Sequence, residues 1–386
     1  MMPRVAVALL LVVAASASAQ TKPSALRTYE TRYYVIHTDL GRDTAREAEL
    51  RLTRMAEEYR RRTSEFSGEI RKKLPFYLFK TEAAYHAAGG TPNTAGEYNP
   101  NTHTLMAFAG DDGPNLQTWH AVQHEGFHQF ADQVIGKGLP IWANEGLAEY
   151  FAESIFTGDT FVQGVVPQWR LERVRATLKA DGFMPLRELL GLSHAEWNKR
   201  ISVTNYDHVW SLTHFLVHAE RGALQERFVA FLKAASGGAD DGFETHVERI
   251  EIIEAKWKAY WAALPDDPTA DLYAEATLRT LSSFLARATA RRQRFDSFDA
   301  FIATARSDGL KTTETDWLPP SLLKVAGARV GELQKTGAKL EMLSDAPRPP
   351  SIIYSDRKGV EMVGRFTLKG ARVDQVIVER TPGKSP

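Results

Sequence analysis

Apolar positions along the chain follow two rhythms, one of period two and one close to 3.6. Residues 29–38 (YETRYYVIHT) are aromatic and β-branched, which predicts a strand. The spacing then lengthens to that of a charged amphipathic helix over about 43–66. A short aromatic run predicts a buried strand over 75–79. Residues 81–115 are rich in Gly, Asn, Pro and Thr, with one further strand over 104–108. Helical periodicity returns over 116–135, stops at Gly136, Gly138 and Pro140, and resumes from about 144 to 155. Further helices are expected over 168–181, 185–191, 205–219 and 223–235.

A turn at 236–242 precedes one long helix expected over 243–264, which carries Trp257, Tyr260 and Trp261 and is closed by Pro265. These aromatics read as core or subdomain contacts rather than a sugar platform. Helices are expected over 269–290 and 320–340. Beyond Pro347-Arg348-Pro349-Pro350 the pattern alternates, with strands near 351–354, 359–367 and 372–380. The expected class is α+β: a small N-terminal sheet with a helical subdomain, followed by a helical and β appendage. The expected divisions are 25–265, 270–345 and 350–382. With 386 residues, two or three subdomains are expected rather than one core.

The start of the chain reads as a targeting segment. Met1-Met2-Pro3-Arg4 is a short positive start, residues 5–15 are apolar, and Ala17-Ser18-Ala19 is a small-x-small site, so cleavage is expected after Ala19. An uncleaved anchor is the alternative, although the apolar run falls short of the roughly 20 residues that span a bilayer. The mature chain is expected to be secreted or periplasmic, without a transmembrane segment. Lys plus Arg equals Asp plus Glu, so no global field favours nucleic acid, and none is expected as a partner. Arg60-Arg61-Arg62 reads as a solvated helix face. The absence of cysteine excludes disulfides, thiolate metal sites and cysteine nucleophiles. Any metal must be held by His and carboxylates.

His124-Glu125-Gly126-Phe127-His128 supplies such a set. Helical residues four apart share a face, so both imidazoles can point at one ion. Glu125 lies about 100° around the axis, off the metal but beside a water that it can deprotonate. Catalytic zinc usually takes three protein ligands. Glu145, in Trp142-Ala143-Asn144-Glu145-Gly146-Leu147-Ala148-Glu149-Tyr150, is the best third candidate, because the Gly and Pro turn can fold its helix back. Alone it also reads as a surface carboxylate near a helix start. Glu149, one turn on, can hydrogen-bond the free nitrogen of a ligand histidine. Asp132 continues the histidine face and is expected either to orient a ligand histidine or to face solvent. His120 shares that face and reads as packing or cleft wall. Gly126, costly inside a helix, implies close approach by another element. His214 and His218 repeat the four-residue spacing without an adjacent Glu and read as a packed helix.

These segments together resemble the gluzincin metallopeptidases, a clan that includes thermolysin and the alanyl-type aminopeptidases. The likeness is closest to secreted bacterial peptidase-MA-like proteins and spans roughly 30–265. It implies a thermolysin-like catalytic unit, one zinc ion per chain on His124, His128 and Glu145, and Glu125 as general base and proton shuttle. It also implies an oxyanion donor, for which Tyr206 is the matching residue, with a packed tyrosine as the alternative and His208 as a substitute. Aminopeptidases of the clan read the substrate amine with Gly-x-Met-Glu-Asn; here the segment is Ala95-Gly96-Glu97-Tyr98-Asn99, a poor match. Glu97 can still meet an amine, although no exopeptidase is implied, and the strand at 104–108 can instead add an extended peptide along its edge, which suits endopeptidase binding. The implied activity is hydrolysis of peptide bonds in a peptide or protein substrate. The alternatives are a catalytically degenerate fold used for binding, or a zinc hydrolase of a non-peptide amide such as a cell-wall component.

Overall fold

The computed structural model describes residues 25–381 except 111–112, 137, 240–241 and 345–346. The expected targeting segment over 1–19 lies outside the described residues. Mixed α+β architecture follows from two sheets of different character.

The first sheet begins with a hairpin, β1 (Arg27–Glu30) and β2 (Tyr34–Thr38), where one strand was expected. Thr31 makes the break: its hydroxyl accepts from the Tyr33 and Tyr34 amides at 3.2 and 2.8 Å, closing a turn. Helix α1 (Arg42–Thr63) leads to β3 (Leu74–Phe79), which runs parallel to β2. After α2 (Glu82–Ala87) come β4 (Gly96–Asn99) and β5 (Thr104–Phe108), giving the order β1-β2-β3-β5-β4. The expectation that β5 offers a free edge is therefore corrected. It pairs with β3 on one side and β4 on the other, and the free edge belongs to β4.

Helix α3 (Leu116–Phe130) starts at a capping box of Asn115 and Thr118. It continues into one π-helical turn over 131–135 and stops at Gly136, whose φ is 99°. Two glutamines fasten α3. Gln123 donates to the Phe151 and Ala152 carbonyls at 3.1 and 2.9 Å, and Gln129 donates to the Pro75 and His103 carbonyls, both at 2.9 Å. Gly126 meets α1: a Cβ there would lie 2.6 Å from Met55 Cε. The next helix, α4 (Ile141–Ala152), starts after Pro140 and so three residues earlier than expected.

A small hairpin, β6 (Ile155–Phe156) and β7 (Phe161–Val162), leads into the helical layer. That layer contains α5 (Gln168–Lys179), α6 (Leu186–Leu190), α7 (His194–Lys199), α8 (Val203–His218) and α9 (Gln225–Ser236). The single helix expected over 243–264 is two, α10 (Gly242–His246) and α11 (Ile250–Ala263). Glu244 starts the second by accepting from the Ile250 amide at 2.9 Å. Trp257 and Trp261 lock α11 onto α8 by donating to the Ser211 hydroxyl and carbonyl at 3.2 and 3.1 Å. His214 and His218 are packed, at 3.1 Å from the Gly164 carbonyl and 3.0 Å from the Tyr150 hydroxyl.

The remaining chain forms α12 (Ala270–Ala290), α13 (Phe298–Arg306) and α14 (Pro320–Lys335). Four antiparallel strands follow: β8 (Lys339–Leu343), β9 (Ser351–Ser355), β10 (Glu361–Lys369) and β11 (Arg372–Thr381). The helix expected over 320–340 ends at Lys335 because Gly337, at φ 90°, turns the chain into β8. Helix α12 packs on this second sheet. Arg287 ties it to the β6–β7 turn at Asp159 (2.8 Å), and Arg46 of α1 lies 4.5 Å over the Trp317 ring. No helix among the described residues is long and apolar enough to cross a membrane.

Candidate metal centre

Helices α3 and α4 bring His124, His128 and Glu145 together. The two Nε2 atoms are 3.1 Å apart, and Glu145 Oε2 lies 3.6 Å from the first and 3.5 Å from the second. Each Nδ1 already has an acceptor on α4. His124 Nδ1 is 3.0 Å from Glu149 Oε1, and His128 Nδ1 is 3.1 Å from Asn144 Oδ1. These acceptors keep the proton on Nδ1, so both Nε2 lone pairs face inward beside a carboxylate oxygen. Glu145 Oε2 is buried without a hydrogen-bond partner. Three electron-rich atoms converging in a buried place repel one another unless a cation lies among them.

The same carboxylates also favour a proton on the imidazoles, which competes with a metal cation for the Nε2 lone pairs. Burial opposes charge on His124, but Glu145 and Glu149 outweigh it and hold its pKa well above the ordinary value. His128 is raised likewise, against burial, by Glu145. Glu145, despite burial, is pulled down to about 2 by His128 and His124. The donor set, two imidazoles and one carboxylate without thiolate, suits zinc, whereas calcium and magnesium prefer oxygen ligands alone.

A buried arginine supports this arrangement. Arg170 of α5 reaches Glu149 Oε2 at 2.5 Å, Glu153 Oε1 at 2.6 Å and Asp207 Oδ1 at 3.0 Å, and it donates to the Tyr206 carbonyl at 3.2 Å. Its guanidinium also lies 4.3 Å over the Trp210 ring. One side chain thus fixes the orienting carboxylate of α4 and the start of α8. Burial raises the Glu149 pKa, but Arg170 and His124 bring it far below the usual range. His120 faces Glu153 at 3.5 Å rather than the three converging atoms. His120, Glu149 and Glu153 form a second cluster with ligand atoms within 4.8 Å of one another, but both carboxylates are already ion-paired with Arg170.

Glu125 points toward the first sheet, where its Oε2 accepts from the Tyr98 amide of β4 at 3.0 Å. A Cβ at Gly96 would lie 3.1 Å from the Met106 carbonyl of β5 and in ordinary contact with Ala121 of α3. Tyr206 stands edge-on to His124, with ring centroids 5.9 Å apart, and against Trp197 at 5.6 Å. Burial, then the charges of Glu145, Glu125 and Glu149, keep its phenol protonated far above neutral pH and available as a donor. His208 is no substitute. It is buried between Phe183 and Trp257, both ring nitrogens lack partners, and burial lowers its pKa to about 3.

Two further expectations are corrected. Asp132 orients no ligand histidine; its Oδ2 accepts from the Tyr98 hydroxyl at 2.6 Å and lies 3.1 Å from His103 Nδ1. The π turn begins at Ala131, so the four-residue spacing from His128 no longer keeps Asp132 on the histidine face. Glu97 is engaged by its own loop, accepting from the Thr91 amide at 2.9 Å. Asn144, Arg170 and Tyr98 escape sequence reasoning. Asn144 lies inside the quoted α4 segment, directly before Glu145, and Nδ1 of the second histidine needs an acceptor; that was a usable signal. Nothing in the local sequence sets Arg170 apart from the other arginines of α5.

A family model described as "Protein of unknown function (DUF1570)" matches residues 119–238. The matched segment runs from α3 through α9 and contains all three converging residues, Glu125, Arg170 and Tyr206, but neither sheet strand β4 nor the C-terminal unit. No curated protein matches the chain.

Proposed function

We propose that the chain is an exported zinc-dependent hydrolase of the gluzincin metallopeptidase type that cleaves amide bonds in a peptide or protein substrate. The observation that carries this reading is the convergence of two Nδ1-anchored imidazoles and the unpartnered Glu145 oxygen, with Glu125 on the same helix. A zinc ion held by His124, His128 and Glu145 would polarise the scissile carbonyl and acidify a water molecule. Glu125 takes the proton from that water and delivers it to the leaving amine. Tyr206 donates to the oxyanion that forms on the carbonyl carbon, a contact that contributes about 3–4 kcal/mol in comparable sites. The edge of β4, adjacent to Glu125, suits an extended peptide that adds as a further strand.

The test is cleavage of a diverse peptide mixture by wild type and Glu125→Gln, with zinc content measured on both. The expected result is about one zinc per chain in each, cleavage by wild type and a loss of at least a hundredfold in the variant. Zinc without cleavage of any peptide would favour a binding fold. Cleavage confined to cell-wall amides would favour the non-peptide hydrolase.

A further inference from the structure

We infer that Tyr98 and Asp132 form a latch that positions Glu125. This inference rests on the reading of Glu125 as general base. Two hydrogen bonds and one stretch of backbone close a short circuit. The Tyr98 amide donates to Glu125 Oε2 at 3.0 Å, and the Tyr98 hydroxyl donates to Asp132 Oδ2 at 2.6 Å. The backbone from Glu125 to Asp132, one α-helical segment entering the π turn, completes the circuit.

The physical need for such a device comes from the place of β4. It is a four-residue edge strand paired on one side only, with outward backbone groups that β5 does not engage. A carboxylate oriented by an amide of that strand is only as well placed as the strand. Tyr98 supplies both ends of the restraint: its amide holds the carboxylate, and its ring reaches along α3 to the π turn. Asp132 is braced in turn. Gln133 Nε2 donates to the same Oδ2 at 2.7 Å, and His103 Nδ1 lies 3.1 Å from it and 2.7 Å from Gln133 Nε2. His103 belongs to the β4–β5 turn, where its φ of 54° turns the chain, and its carbonyl accepts from Gln129 of α3. The strand, the turn beyond it and the end of the histidine-bearing helix are therefore tied at one carboxylate. The π turn has a purpose in this arrangement: it moves Asp132 from the histidine face to the face that meets Tyr98.

Tyr98 and Asp132 are positioning residues; neither touches the converging ligand atoms. The predicted signature is therefore a kcat effect without loss of zinc. Tyr98→Phe keeps the ring and the amide but removes the hydroxyl. It is expected to lower kcat about tenfold, with KM changed less than twofold and zinc content unchanged. Asp132→Ala should behave alike, Asp132→Asn should recover most of the loss through its remaining acceptor oxygen, and the double variant Tyr98→Phe/Asp132→Ala should be no worse than either single one. In a Glu125→Gln background neither change should lower the residual rate further. Additive losses, or losses that follow melting temperature, would indicate a structural role and overturn the inference.

A second readout does not depend on activity. Amide hydrogen exchange of the full-length zinc-loaded protein should show the Tyr98 amide protected in wild type. Exchange should be at least tenfold faster in Tyr98→Phe, Asp132→Ala and Glu125→Ala. Equal exchange in wild type and all three variants would refute the latch. If wild type cleaves nothing, the hydrolase reading fails, and hydrogen exchange still decides whether the circuit exists.

Discussion

At the scale of single residues, the centre depends on what holds the nitrogen of each imidazole that does not face inward. Glu149 and Asn144 fix the two tautomers, and Arg170 fixes Glu149. Partners of this kind are worth about ten- to a hundredfold in metal affinity. Glu149→Ala is expected to weaken zinc binding by that factor and Asn144→Ala by its lower end, read by competition with a chelator. Affinity equal to wild type in both would show that the helices alone orient the rings. This scale was the most legible in the sequence. The His124–His128 spacing and the Gly–Pro turn before Glu145 pointed to the converging set, because helical periodicity converts spacing into direction. Arg170 and Tyr98 were not legible. Their importance comes from long-range contacts, 21 residues from Glu149 in one case and 27 from Glu125 in the other, that no local pattern encodes.

At the scale of elements, two glycines set the distances between helices. Gly126 lets α1 approach α3, and Gly146 lets α8 cross α4 beside Glu145, where an added Cβ would meet the Thr213 hydroxyl and lie 2.8 Å from the Val209 carbonyl. Only one of these obstacles is soft. Gly126→Ala presses mainly on the flexible end of Met55, whereas Gly146→Ala presses on α8 backbone. Gly146→Ala is therefore expected to cost about 1–3 kcal/mol in denaturant unfolding and Gly126→Ala less. Thr213→Ala should not rescue the first, because the carbonyl remains. Equal stability of Gly146→Ala and wild type would show that the two helices can separate freely. Elements with strong periodicity, such as α3, α8, α12 and β5, were foreseen closely. Strand β4 was missed because four residues among glycine, asparagine and proline carry little pattern, and its role comes from pairing with β5. The breaks at Thr31, between α10 and α11, and at Gly337 were missed for a related reason. A turn hydroxyl, a capping carboxylate and one left-handed glycine each override a continuous apolar rhythm.

At the scale of the molecule, two histidines on α8 are buried uncharged. Burial holds His208 and His214 at a pKa of about 3, against an ordinary value of 6.5. Their folded pKa is depressed, so the unfolded chain binds more protons below about pH 6.5. Stability is then full above that pH and falls as pH drops toward 3. By this linkage each histidine costs about 2 kcal/mol at pH 5. His208→Phe, which keeps an aromatic ring against Trp257, should make the loss between pH 7.5 and 5 shallower. The measurement is urea unfolding of wild type and variant in the same metal state; identical slopes would show that His208 titrates freely. The C-terminal unit belongs to this scale too. Its strands were legible, but its attachment through Arg287 and Arg46 was not, since ion pairs and cation–ring contacts between distant segments leave no periodic trace.

One zinc ion is expected among His124, His128 and Glu145. Anomalous diffraction at the zinc edge from crystals of the metal-loaded protein tests it most directly. The expected result is a single peak about 2.0–2.2 Å from His124 Nε2, His128 Nε2 and a Glu145 carboxylate oxygen. No peak there, or one held by His120, Glu149 and Glu153 in its place, would contradict it.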